Sequence, residues 1–137
     1  MSGRKADRRQ GDFEVITAAE ALVKYTIEIT TNEKNFPKRY RWCLTNKIVE
    51  NATAMFADLS SANNIKVSRL EDKKLRRSYQ VRALAEIGAM LALMQVAYDV
   101  FHVDADRAEY WTRLVKNEQT LIRKWRDSDD DRYKDVE

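Results

Sequence analysis

The chain contains very few residues that break helices, with three glycines and one proline among 137 residues. Glycine and proline dominate tight turns and hairpins, and glycine also forms phosphate-binding loops, so this chain has little material for any of these. Hydrophobic residues make up 44% of the sequence and charged residues 34%, which allows a buried core beneath a solvated surface. The composition therefore predicts a single all-α domain.

Apolar residues recur at three- and four-residue steps in four long segments, which is the spacing of amphipathic helices. Four long helices with short connections are typical of a bundle. We therefore predict an antiparallel up-down-up-down four-helix bundle. The expected bounds of its helices are Asp12 or Phe13 to Asn35, Pro37 to about Ala62, a start between Ser68 and Lys74 to Phe101, and about Ala105 to Arg126.

The two ends of the chain differ in charge. Residues 1–12 are polar and basic and predict a flexible arm, whereas residues 127–137 hold six acids and two bases and predict a flexible acidic tail. The tail carries −4 of a total charge of +3, so residues 1–126 carry +7. A bundle over residues 13–126 would then present a surface for polyanions, with the tail as an intramolecular competitor. Alternatively, both ends are merely solvated.

The sequence also bears on the compartment. A single cysteine, Cys43, excludes an internal disulfide. Residues 1–12 lack the apolar core of a signal peptide, and three polar side chains interrupt the most apolar stretch, residues 83–101. We therefore expect a cytoplasmic, reduced protein with no membrane span.

Few residues suggest catalysis or metal binding. With one histidine, His102, neither a di-iron carboxylate site nor a zinc site has enough ligands, so we expect no metal and no cofactor. Glu86 and Glu118 lie in apolar stripes and could form an acid–base pair, and Cys43 could be a nucleophile beside a base. Simpler interpretations are a buried or half-buried thiol, and carboxylates that bond a neighbouring arginine or tyrosine or face solvent at the edge of a stripe. We predict that the protein is not an enzyme.

Residues 36–44, FPKRYRWCL, are expected to open helix 2. Phe36 can act as a hydrophobic staple, Pro37 suits the first turn of a helix, and Trp42 is expected to enter the core. The same segment carries three cations at a helix start, where the helix dipole disfavours positive charge. These cations therefore suggest a role outside the helix itself.

That role is predicted to be the binding of phosphate, which helix starts with added cations favour. Tyr40 could stack on a base. Further contacts are expected from the basic start of helix 3, at the opposite end of the bundle, and from the outer side of helix 4; alternatively, all these charges only keep the protein soluble. The predicted nucleic-acid-binding residues are Lys38, Arg39, Arg41, Lys73, Lys74, Arg76, Arg77, Arg113, Lys116, Arg123 and Lys124.

Short motifs in three of the four predicted helices carry a resemblance to known proteins. They are an opening of helix 2 that contains FPK, an arginine pair at the start of helix 3, and aromatic residues near both ends of helix 4. The long apolar run of helix 3 lies between them. The residues are Phe36, Pro37, Lys38, Arg41, Leu44, Arg76, Arg77, Tyr110 and Trp125, within a similarity over about residues 15–126.

These motifs resemble a bacterial four-helix-bundle family that includes proteins encoded in intervening sequences of 23S rRNA genes. The family also includes the accessory variability determinant (Avd) proteins of diversity-generating retroelements. The rRNA-type proteins carry a proline-containing segment after helix 2, whereas this chain has ADLSSANNIKVSR there, which is more similar to Avd. The resemblance implies a basic homopentamer that binds a reverse transcriptase and nucleic acid, with Lys38, Arg41, Arg76 and Arg77 as matched residues.

The sequence and the resemblance together predict a non-enzymatic accessory protein that binds RNA or single-stranded DNA and a reverse transcriptase during mutagenic copying of a template RNA. One alternative is a structural bundle of the 23S rRNA intervening-sequence type that binds another protein and no nucleic acid. The other is a small enzyme that uses Glu86, Glu118 or Cys43.

Overall fold

The structure is a computed structural model that describes the backbone of residues 2–137 and the side chains of residues 11–137. It contains no strand in residues 2–137, so the prediction of an all-α four-helix protein is confirmed. A 3₁₀ turn over Lys38–Tyr40 and a π turn over Arg41–Thr45 precede the second helix. The helices are α1 (Ser2–Thr31), α2 (Asn46–Asn64), α3 (Leu70–Val100) and α4 (Ala105–Arg132).

Contacts between helix ends show how the helices are arranged. Each helix packs against its neighbours in sequence, and α1 also packs against α4. Thr26, late in α1, accepts a hydrogen bond from Trp111, early in α4. At the opposite end Arg76, early in α3, donates to Asp129, late in α4, and to the carbonyl of Ala62, late in α2. Neighbouring helices therefore run in opposite directions, as in an up-down-up-down bundle.

Aromatic side chains close the end of the bundle where α1 and α3 finish, which we call the Phe36 end. Phe36 is 1% exposed, and its ring centroid lies 5.6 Å from that of Phe101 and 5.7 Å from that of Trp111. These are edge-to-face contacts, which aromatic rings prefer. Trp111 Nε1 donates to Thr26 Oγ1 at 3.0 Å, so the buried indole keeps a hydrogen-bond partner. Phe36 thus anchors the chain between α1 and α2 in the core.

A buried ion pair joins the helices at the other end, which we call the Arg76 end. Arg76 Nε donates to Asp129 Oδ2 at 2.5 Å, and Nη2 donates to Oδ1 at 3.2 Å. Arg76 Nη1 donates to the Ala62 carbonyl at 3.1 Å, and Gln80 Nε2 donates to Asp129 Oδ2 at 2.8 Å. Burial lowers the pKa of Arg76, but the hydrogen bond and charge of Asp129 outweigh it, so that its pKa rises. Arg76 therefore stays charged inside the bundle.

Two helices extend beyond the bounds expected from the sequence. Helix α4 continues to Arg132 instead of ending at Arg126, because Asp129 must lie on its inner face to meet Arg76. The first six residues of the predicted acidic tail are therefore helical. Helix α1 begins at Ser2, but the side chains of residues 1–10 lie outside the described part of the chain. The division into flexible arm, bundle and flexible tail stays a prediction.

The connections between the helices agree in part with the sequence patterns. Helix α3 begins at Leu70, within the expected range. Asp104 caps α4, since its carboxylate accepts the Arg107 backbone N–H at 3.0 Å. Helix α2 ends at Asn64, the last residue of the polar segment SSANN (residues 60–64), close to the expected end at about Ala62. The side chains of serine and asparagine favour helix ends because they can hydrogen-bond to the backbone, and α2 packs on α3 up to Ala62, which is fully buried.

We expect the loss of either partner of the Arg76–Asp129 pair to destabilise the protein strongly. Arg76→Met should lower the free energy of unfolding by about 3–5 kcal/mol, because Asp129 would stay buried without its cation. The double variant Arg76→Met/Asp129→Leu should recover part of this loss, since it leaves no buried charge. Urea unfolding followed by circular dichroism measures both.

The neighbouring Arg77 provides the matched control, because its pair with Asp130 is about half exposed. Arg77→Met should change the free energy of unfolding by less than about 1 kcal/mol, as is usual for surface pairs. Equal losses in Arg76→Met and Arg77→Met would show that the buried pair does not stabilise the bundle as described.

Candidate nucleic-acid interface

The segment FPKRYRWCL forms an irregular start to the second helix. Pro37 has φ −56° and ψ 133°, an extended conformation, so the helix cannot begin there. Tyr40 N donates to the Pro37 carbonyl at 3.1 Å and closes the 3₁₀ turn. In the π turn the Asn46 backbone N–H reaches the carbonyl of Arg41, five residues earlier. The prediction that helix 2 begins at Pro37 therefore differs from the structure, in which regular α-helix begins at Asn46.

Trp42 lies in solvent, and the prediction that it enters the core is wrong. Its side chain is 77% exposed, although a regular extension of the buried stripe of α2 beyond Thr45 would bring it inward. A π turn holds one residue more than an α-helical turn, and this extra residue rotates Trp42 off the stripe. Tyr40 packs inside instead, with its ring centroid 5.3 Å from that of Phe101. Tyr40, expected to stack on a base, is therefore half-buried, and Trp42 offers the free aromatic face.

Three cations precede Trp42 within four residues. Lys38 and Arg39 are exposed, and Arg41 is half-buried. The Arg39 guanidinium lies 4.9 Å from the centroid of the Tyr40 ring, a cation–π contact that holds it at the surface. Within the described part of the chain, none of the three forms an ion pair. We call Lys38, Arg39, Arg41 and Trp42 the Trp42 corner.

The predicted cations at the start of α3 contact the acidic end of α4. Arg76 is 4% exposed, so it serves the bundle and is not accessible to a ligand. Lys74 is exposed. The acidic tail was expected to compete with a polyanion for these four cations, and it contacts three of them. The contacts are Arg76 to Asp129, Arg77 to Asp130, and Lys73 Nζ to the Tyr133 carbonyl at 2.9 Å.

The predicted cations on α4 are all exposed but do not cluster. Arg113 and Lys116 lie in the half of α4 towards the Phe36 end, and Arg123 and Lys124 lie in the half towards the Arg76 end. The Arg113 guanidinium lies 5.9 Å from the Tyr110 ring centroid. The eleven predicted residues therefore form no single site. Sequence periodicity could not predict the exposed indole of Trp42. The positions of apolar residues along the sequence do not show whether a turn of the helix is α or π.

The nucleophile and metal candidates, Cys43 and His102, both lie at the surface. Cys43 is exposed, contrary to the expectation of a buried or half-buried thiol, and its Sγ lies 3.3 Å from the Tyr40 carbonyl oxygen. The π turn that exposes Trp42 also exposes this neighbour. His102 is exposed just after α3. Among the described residues, no three His, Cys, Asp or Glu side chains are grouped so that they could hold a metal ion.

The two carboxylates considered as an acid–base pair lie in different surroundings. Glu118 is fully buried, neither of its carboxylate oxygens has a hydrogen-bond partner, and burial raises its pKa to about 8. The expected bond to an arginine or tyrosine is therefore absent from the described part of the chain. Burial and the neighbouring Asp58 raise the pKa of Glu86 to about 7, while Arg82 opposes the rise. The acidic side chain that raises the pKa of Glu86 is that of Asp58 and not that of Glu118.

The raised pKa of Glu118 predicts a pH-dependent stability. The unfolded chain releases this proton near pH 4.5 and the folded protein near pH 8, so stability should fall as the pH rises through this range. Glu118→Gln should remove that fall. The variant is expected to be about 2–3 kcal/mol more stable than the wild type at pH 7 and similar to it at pH 4.

Urea unfolding at a series of pH values measures this difference. Glu50 lies exposed on α2, so Glu50→Gln is the control and should leave the pH dependence unchanged. A difference between Glu118→Gln and the wild type that stays constant from pH 4 to pH 8 would contradict the prediction.

Comparisons with models of protein families, with curated proteins and with solved structures find no match for this chain.

Proposed function

We propose that the protein is a non-enzymatic nucleic-acid-binding protein and that the Trp42 corner is its contact surface. The supporting observation is a tryptophan that is 77% exposed and is preceded, within four residues, by three cations with no ion-pair partner in the described part of the chain. An indole left in water forgoes the free energy of burying its large apolar surface. A partner that covers the ring and neutralises the cations would fit both features.

Single-stranded nucleic acid has the matching chemistry. An unstacked base can lie on the indole of Trp42, because every base has a π face. Lys38, Arg39 and Arg41 can neutralise phosphates on either side of that base and release their counterions. A base inside a duplex is stacked already and cannot reach the ring. The proposal therefore favours single-stranded RNA or DNA, with little preference for sequence.

The resemblance to Avd proteins supports a context for this binding. In that context the partner is a reverse transcriptase, and the nucleic acid is its template RNA or the cDNA. The corner would hold the strand weakly, and several subunits acting together would raise the overall affinity. Exposed cations on α4 would add electrostatic contacts to phosphates, which weaken with salt and involve no stacking on a base.

A second candidate is a structural bundle that binds another protein. The exposed apolar face of α3 favours it, with Val81 and Val96 each nearly half exposed. Tryptophan and arginine also dominate the energetics of protein interfaces, so the Trp42 corner would suit a protein partner as well. This candidate predicts no salt-sensitive affinity for nucleic acid.

Binding of labelled oligo(dT) and oligo(U), followed by fluorescence anisotropy over a salt series, tests the proposal. Trp42→Ala should weaken binding about 5- to 150-fold, since stacking on an aromatic ring contributes about 1–3 kcal/mol. Lys38→Gln/Arg39→Gln/Arg41→Gln should reduce the slope of affinity against salt by about 2. Quenching of tryptophan fluorescence adds a direct reading, because Trp111 and Trp125 are buried.

The matched control is Lys116→Gln/Arg123→Gln/Lys124→Gln, which removes the same charge from exposed positions of α4. It should weaken binding less than the triple variant of the Trp42 corner. Equal losses of affinity in the two triple variants, with no effect of Trp42→Ala, would show that binding depends only on diffuse positive charge and not on the Trp42 corner. Absence of binding at low salt would exclude nucleic acid as the ligand and leave the protein-binding candidate.

A further inference from the structure

Helix α3 has an outward face that no described residue covers. Of its most apolar 18-residue window, only 28% is buried, although the helix is long and apolar enough to cross a membrane by length and composition alone. The exposed positions lie opposite the buried stripe, at three- and four-residue steps. In the middle of the helix they are Val81, Arg82, Ala85, Gly88, Ala89, Ala92, Gln95 and Val96. An exposed apolar face of this length is typical of a surface that binds a partner.

Three of the four residue pairs of this face are symmetric in type about the point between Gly88 and Ala89, and the fourth pair is Arg82 with Gln95. Counting outwards from that point, Gly88 matches Ala89, Ala85 matches Ala92, and Val81 matches Val96. An interface with a twofold axis requires a patch that is complementary to itself. Two copies of α3, placed antiparallel with the axis at this point, bring each residue opposite its match. Small residues then meet at the centre, and valines meet at both ends.

Gly88 has no role that packing within the chain explains. A Cβ atom added at this position would meet nothing within 4 Å. Glycine inside a helix costs about 1 kcal/mol relative to alanine, so its presence here is unfavourable for the isolated bundle. Small residues at a helix crossing allow the two backbones to approach to the short end of the usual 8–10 Å range. A second helix at Gly88 would make use of the open space.

Charges at the two ends of the face favour the antiparallel direction. Lys74 and Arg77 lie near the start of α3, and Asp99 lies near its end, all of them exposed. In the antiparallel arrangement Asp99 of the partner subunit lies opposite Ser78, between the positions of Lys74 and Arg82. Arg77 is already paired with Asp130, so Lys74 is the cation that this arrangement brings near Asp99 of the partner subunit. The helix dipoles also oppose each other favourably only when the two helices are antiparallel.

The surface relief of α3 fits the same arrangement. An open groove of about 410 Å³ lies on the first half of the face, lined by Lys74, Arg77, Ser78, Val81, Arg82 and Ala85. Its symmetry match is the second half of the face, where Val96 is 46% exposed and Val100 is 60% exposed. The protruding valines of one copy thus lie opposite the groove of the other, at two places in each pair.

We propose that the exposed face of α3 binds a second copy of the chain, antiparallel, about a twofold axis between Gly88 and Ala89. This contact closes at two subunits. It differs from the homopentamer that the resemblance implies, because a five-fold ring joins two different surfaces of each subunit. The proposal does not depend on nucleic-acid binding, since it uses none of the residues of the Trp42 corner.

The mass in solution, from light scattering after size exclusion over a range of concentrations, gives the first test. The wild type should be a dimer, and Gly88→Leu should be a monomer of unchanged helicity, because leucine favours helix but fills the crossing point. Asn117→Leu, at an exposed position of α4, is the matched control and should remain a dimer. A monomeric wild type, a pentamer, or a Gly88→Leu dimer would each overturn the proposal.

Disulfide crosslinking tests the direction without relying on Gly88→Leu. Both partners carry Cys43→Ser, which removes the exposed native thiol. A mixture of Ala85→Cys and Ala92→Cys chains should crosslink under mild oxidation, because these positions face each other. Ala85→Cys alone should not, since its two copies lie about 10 Å apart along the helix axis. Crosslinking of Ala85→Cys alone would show a parallel contact and overturn the proposal.

A lipid membrane is the other surface that this apolar face could bind. Flotation with vesicles of phosphatidylcholine and phosphatidylglycerol distinguishes it from a second copy. The dimer should stay with the soluble fraction, because its apolar faces are buried against each other. Co-flotation that Gly88→Leu leaves unchanged, together with a monomeric wild type, would assign the face to the lipid and reject the dimer.

Discussion

The buried pair between Arg76 and Asp129 connects all four helices at one end of the bundle. It joins α3 to α4, it bonds the carbonyl of Ala62 in the last turn of α2, and Asp12 of α1 lies 4.0 Å from the guanidinium. Charges removed from water stabilise a fold only when their hydrogen bonds are complete. Gln80 completes those of the carboxylate, and the Trp125 ring lies 4.7 Å from the guanidinium. The bundle thus places a fully bonded ion pair where its four helices meet.

This pair also determines which charges remain for a ligand. It requires α4 to continue past Arg126, and the acidic residues that follow come close to the cations at the start of α3. Two of those cations, Arg76 and Arg77, are therefore neutralised within the chain. Among the residues that the structure describes, no acidic side chain forms an ion pair with Lys38, Arg39 or Arg41 at the Phe36 end. The mild net charge of the protein thus hides an unequal distribution between the two ends of one bundle.

The sequence predicts the helices well because their core faces follow a regular spacing. The same spacing could also have identified the ion pair. The buried stripe of α3 from Ala83 to Ala97 extends backwards through Gln80 to Arg76, and the stripe of α4 extends forwards from Trp125 to Asp129. Two charged residues of opposite sign at facing ends of two inward stripes are a signal for a buried pair. The basic neighbours of Arg76 concealed it, because a run of cations suggests a surface.

The exposure of Trp42 could not be predicted in this way. Tyr40 and Trp42 are two residues apart, so a helix can turn only one of them towards the core. The choice depends on whether the turn at Arg41–Thr45 is α or π, which changes the register of everything before it. Contacts distant in sequence decide the choice, since Tyr40 packs on Phe101 and Phe36 packs on Trp111. The local secondary-structure propensity of residues 41–45 carries no information about either contact.

The two proposals together constrain how a nucleic acid could engage a dimer. Antiparallel α3 helices place the Phe36 end of one copy beside the Arg76 end of the other. The two Trp42 corners then lie at opposite ends of the dimer, separated by roughly the length of α3, about 45 Å for its 31 residues. Linked contacts gain affinity only when the ligand spans both sites. A short oligonucleotide would therefore bind each corner independently, and only a longer strand, laid along the dimer, would benefit from both.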